Sequence, residues 1–124
     1  MSEYHPLSVV EVEQRLVRIN AALGSAVKEL AERRKEELAA LREFKRAKAK
    51  AMFDPACPEV SRGGATVAER DAWVDDKTEE EWHAHAAAEI ARESARDHLN
   101  VLREQASTLQ TIAAGQRTLM KLGV

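Results

Sequence analysis

The sequence predicts an all-α protein: two long helices folded as an antiparallel or open coiled-coil hairpin, with a short kinked middle helix, associated into oligomers. Three observations predict it. Apolar residues recur at helical spacing through both halves of the chain, and no stretch alternates like a strand. Aromatics make up only 4% of the 124 residues and charged residues 32%, too few bulky side chains for a sheet-based core. The helix-breaking prolines and glycines cluster between Asp54 and Gly64.

The first helix is expected over about 8–53. Ser8-Val9-Val10-Glu11 is a capping box, in which the hydroxyl takes a forward amide and Glu11 reaches back. Val12, Leu16, Ile19, Leu23, Ala26 and Leu30 then follow in steps of 4, 3, 4, 3 and 4, a heptad seam. Two further steps of 4, from 30 to 34 to 38, read as a stutter, and the seam continues through Leu38, Leu41 and Phe44. No proline or glycine lies between Ser25 and Phe53, so this helix should run roughly 65 Å.

Asp54-Pro55-Ala56-Cys57-Pro58 cannot continue a helix, and a loop is expected over about 54–65. Thr66-Val67-Ala68-Glu69 is a second capping box opening a short helix over about 66–76, and Thr78-Glu79-Glu80-Glu81 reads as a third, opening a helix over about 78–122. The last helix has a seam of Ala88, Ala91, Ala95, Leu99, Leu102, Ala106, Leu109, Ala113 and Met120, and Gly123 is a natural end. The whole, residues 1–124, reads as a single helical domain.

A lone pair of helices with one apolar seam each is marginal. Burying a CH₂ contributes about 0.8 kcal/mol, while ordering a residue costs about 1–2 kcal/mol. Copies of the chain are therefore expected to associate. The expected interface comprises Leu38, Leu41, Leu99, Leu102, Leu109, Ile112 and Leu119.

Composition excludes several classes. No charge-free run is long enough to span a bilayer. Met1-Ser-Glu-Tyr-His-Pro does not read as a signal peptide, and Cys57 is the only cysteine, so a reducing, cytoplasmic setting is expected. Net charge is −2, but its distribution is uneven. Lys28 to Lys50 holds nine basic and five acidic residues, a local +4, and Glu69 to Glu81 holds seven acidic and two basic, a local −5.

Chemistry-bearing constellations are few. Glu81, His85 and Glu89 share a helix face, and Glu80 with His83 makes a Glu-x-x-His pair, half of the pattern used by carboxylate-bridged metal bundles. The other half is missing, so an acidic helix start with two surface histidines is expected, and no metal. Whether these groups hold a stray divalent ion stays open. Cys57 has no histidine at any local spacing that would activate it. No nucleophile motif, phosphate loop or dinucleotide fingerprint occurs. A non-enzymatic protein without cofactors is expected. Trp73 and Trp82 flank the kink and are expected to pack it rather than to stack bases.

The most informative stretch is Arg42 to Phe53. Its cations, Arg42, Lys45, Arg46, Lys48 and Lys50, face one anion, Glu43. Part of this compensates the helix dipole. Repeated once per protomer, such a cluster would bind phosphates additively, in a salt-dependent and sequence-tolerant way.

These segments together resemble the small helical phage recombination mediators of the UvsY type and the short helical proteins of actinobacteriophages. The resemblance runs from about Val9 to Gly123. Its marks are the basic-alanine stretch Lys45-Arg46-Ala47-Lys48-Ala49-Lys50, the loop Arg62-Gly63-Gly64, the element Thr66-Val67-Ala68-Glu69-Arg70, and Leu109-Gln110-Thr111-Ile112 ahead of Arg117-Thr118-Leu119. It implies that Lys48-Ala49-Lys50 takes the place of a Lys-Ala-Arg step that contributes to single-stranded DNA binding. Here the second cation is lysine, and the family's following aromatic pair is represented by Met52-Phe53. It also implies a homo-oligomer that holds single-stranded DNA and helps a recombinase displace a single-strand-binding protein, in the cytoplasm of a bacterial host. The alternative expectation is a coiled-coil adaptor or assembly chaperone, without nucleic-acid binding, whose acidic segment Asp71 to Glu81 and apolar seam dock a protein.

Overall fold

The computed structural model describes residues 7–123. The stretch Met1 to Pro6, with the signal-peptide question and His5, lies outside them. The described residues form three helices: α1, Val9–Met52; α2, Val67–Lys77; and α3, Glu79–Lys121. Among them there is no strand, only an isolated bridge between Val60 and Ala65. The all-helical class is therefore as expected.

Local chemistry explains the ends. The Ser8 hydroxyl accepts from the Glu11 amide at 3.1 Å and donates to the Glu11 carboxylate at 3.2 Å. After α1, Asp54 takes the Ala56 amide on its carboxylate at 2.8 Å and the Cys57 amide on its carbonyl at 2.9 Å, which turns the chain. Gly63 has φ +81°, a conformation that favours glycine. Thr66 caps α2 by accepting from the Glu69 amide at 3.1 Å.

The third capping box takes another form. Thr78 is 2% exposed, and its hydroxyl donates backward to the Val74 carbonyl at 2.8 Å. Its own amide continues the ladder of α2 to Val74, and its carbonyl accepts from Trp82 in α3. With helical bonds on both sides there is no free turn for the hydroxyl to cap, so it closes on the preceding carbonyl.

The chain packs as two units, one holding the residues up to 30 and from 94 onward, the other residues 31–93. In the first unit α1 and α3 run antiparallel: the Gln116 side-chain amide donates to the Leu7 carbonyl at 2.8 Å. Ile19, Ala26, Leu30, Ala95, Leu99, Leu102 and Ala106 form the buried cluster, with Leu16, Ala22, Leu23 and Leu109 packed against it. Each fully buried leucine contributes about 1.5–3 kcal/mol, so these few residues carry that unit. Leu99 and Leu102, expected between copies, thus belong to the chain's own core. Heptad spacing marks an inward face without saying whose helix covers it.

In the second unit the stutter is absent. Leu38 is 50% exposed. The inward face instead continues from Leu30 through Arg33, Glu37, Ala40, Phe44, Ala47 and Ala51, all buried or half-buried, in steps of 3, 4, 3, 4, 3 and 4. Two of these positions hold charges, which an apolar pattern skips. Glu37 is bonded there to Arg92 of α3, itself an inward-facing position. The Phe44 ring stacks on His85 with centroids 6.3 Å apart. Val74, Thr78 and Ala51 are the buried residues of this unit.

Candidate nucleic-acid interface

The cationic residues of α1 lie in the second unit. A residue advances about 100° round the helix axis, so Arg42, Lys45, Arg46 and Lys50 fall within an arc of about 140° and along about 12 Å. All four are exposed. Glu43, the anion of the stretch, takes the Arg46 guanidinium at 3.0 Å in an exposed pair. Such a pair is weak and leaves the guanidinium free to exchange partners.

Lys48 stands apart. Residues two apart on a helix do not share a face. Lys48 is half-buried, with its ammonium 5.3 Å from the centroid of the Phe44 ring, a cation–π contact. The Lys48-Ala49-Lys50 step therefore does not form one patch, and Lys50 alone of that pair joins the exposed arc.

The same face extends in two directions that the sequence reading missed. Arg34 and Lys35 are exposed about two turns before Arg42, with Lys35 3.9 Å from Glu32. Counting cations at helical rather than sequential spacing would have found them. Leu38 is exposed between them and Arg42. At the other end Phe53 is 88% exposed, just past the end of α1.

The remaining candidates separate. His83 has its ring nitrogen 3.4 Å from a Glu79 oxygen, while His85 faces Phe44. Among the described residues no group of three or more His, Cys, Asp or Glu side chains could hold a metal. The Cys57 thiol is half-buried against the Pro58 carbonyl at 3.8 Å. Trp73 is half-buried with the Lys77 ammonium 5.5 Å from its ring, and Trp82 lies edge-on to His83 at 5.0 Å and is largely exposed. Trp82, Phe44, His83, Asp75, Asp76 and Glu79 line a shallow groove of about 410 Å³. Trp82 therefore does not simply plug the kink. Among the described residues no helix is long and apolar enough to cross a membrane. No family model, curated protein or solved structure matches the chain.

Proposed function

We propose that the chain is a non-catalytic, homo-oligomeric single-stranded DNA-binding protein that acts as a recombination mediator in phage DNA recombination and assists recombinase loading. One observation carries the DNA-binding part: Arg42, Lys45, Arg46 and Lys50 project from a single exposed arc of α1, with one carboxylate, Glu43, at its edge. Four cations on a rigid helix meet a phosphate backbone without reading bases, so binding is tolerant of sequence and steep in salt. The mediator role rests on the resemblance alone.

Fluorescence anisotropy with labelled oligo-dT across a salt series tests it. Replacing Arg42, Lys45, Arg46 and Lys50 by alanine should abolish retention at low salt. Each lost phosphate contact should reduce the slope of log affinity against log salt by about 0.7. Lys48→Ala should change affinity far less. Equal affinity for the fourfold variant and the parent would refute the assignment.

The exposed Trp82 beside Asp75, Asp76 and Glu79 favours the second reading, a protein-binding adaptor. An aromatic ring among carboxylates suits a basic, partly apolar peptide. Absence of DNA binding at low salt, with a defined partner whose capture Trp82→Ala abolishes, would select that reading.

A further inference from the structure

The first unit carries a second heptad seam that its own core does not use. Val101, Gln105, Thr108, Ile112, Gly115 and Leu119 follow in steps of 4, 3, 4, 3 and 4. The first four each precede a residue of the inward seam, Leu102, Ala106, Leu109 and Ala113, so the second seam is rotated by about 100° from the first. Its apolar members are open to solvent: Val101 is 50%, Ile112 37% and Leu119 52% exposed. A helix with two adjacent heptad seams packs against a helix on each.

The surface between this seam and α1 is a groove of about 830 Å³. Its floor is apolar, with Ile19, Ala22 and Leu109. Arg15 and Arg18 stand on the α1 wall and Glu104 on the α3 wall. Among the described residues none of these three charges has an ion-pair partner.

We infer that this groove is the contact between two copies of the chain, which close an antiparallel four-helix bundle about a two-fold axis parallel to the helices. Such an axis lays α1 of one copy antiparallel to α3 of the other. Arg15, Arg18 and Glu104 line the same groove, so this axis turns the arginine-bearing α1 wall of one copy toward the Glu104-bearing α3 wall of the second. The same pairing recurs on the opposite side, which makes the surface self-complementary. Gln105 and Thr108, polar positions within the seam, fix the register. This contact rests on the homo-oligomeric part of the proposed function, which it makes specific, and is independent of the phosphate-binding part.

Sedimentation equilibrium of the full chain without DNA, from about 1 to 100 μM, tests the inference. The parent should dimerise. Arg15→Glu with Arg18→Glu should weaken the dimer by about tenfold or more, and Glu104→Arg should do the same. The triple variant should recover to within about threefold of the parent. All three residues are exposed, so circular dichroism should show unchanged helicity in every variant. A parent that stays monomeric, a dimer unmoved by either reversal, or a triple variant as weak as the others would each overturn it. Because no DNA is present, none of these results bears on the phosphate-binding assignment.

Discussion

Along α1 the inward positions keep the same spacing of 3 and 4 on either side of Leu30, but what fills them changes. Before it stand Val12, Leu16, Ile19, Leu23 and Ala26; after it stand Arg33, Glu37, Ala40, Phe44, Ala47 and Ala51. The first unit is held by aliphatic burial, a non-directional force proportional to area. The second has directional contacts at its inward positions instead: the Glu37–Arg92 ion pair and the Phe44–His85 stack, with the Thr78 hydroxyl closing locally on Val74. One helix can therefore be a stabilising strut at one end and a display surface at the other. The cations lie where few large apolar side chains must be covered.

The comparison breaks most sharply at Leu99. It is 3% exposed at the centre of the aliphatic cluster. Leu99→Ala should cost about 2–5 kcal/mol, through lost transfer energy and the cavity left behind. Urea unfolding followed by circular dichroism measures this. In the second unit Val74→Ala, which removes two methyl groups from the one buried aliphatic of α2, should cost less, about 1–2 kcal/mol. If Val74→Ala proved as damaging as Leu99→Ala, the second unit would depend on burial after all, and the contrast would fail.

Legibility follows the same division. Ser8, Thr66, Asp54 and Gly123 acted through local chemistry, and their signals in the sequence have counterparts in the bonds they make. The aliphatic seam was legible because burial selects residue type at each inward position. Beyond Leu30 that correlation lapses. Glu37 and Arg92 are 55 residues apart in sequence, and each reads as a solvated charge until the other is placed beside it. Thr78 was misread because a capping pattern specifies hydroxyl and carboxylate spacing, not whether the preceding helix ends. The cationic face is half-legible: the contiguous run of cations includes Lys48, which helical spacing excludes, and omits Arg34 and Lys35, which helical spacing adds.

A double-mutant cycle sharpens the contrast. Glu37→Gln and Arg92→Met, singly and together, should give a coupling of about 1 kcal/mol or more, since the two groups are about one-quarter exposed and screened less than a surface pair. A coupling near zero would mean that the second unit's inward charges are tolerated rather than stabilising. Thr66→Ala, which removes the α2 cap, should cost about 1 kcal/mol in the same assay.

The smallest expected stability effect separates display from support. Glu43 and Arg46 form an exposed pair three residues apart on α1. Glu43→Gln should change stability by no more than about 0.5 kcal/mol, because an exposed pair gains little over hydration and loses side-chain freedom. The same substitution removes the carboxylate at the edge of the cationic arc and releases the Arg46 guanidinium. Oligo-dT binding should therefore tighten and its salt slope steepen toward that of one additional phosphate contact. Unchanged DNA affinity with unchanged stability would mean that Arg46 does not reach the backbone, and the arc would shrink to Arg42, Lys45 and Lys50. A large loss of stability would mean that the exposed side of α1 contributes to folding, which its geometry denies.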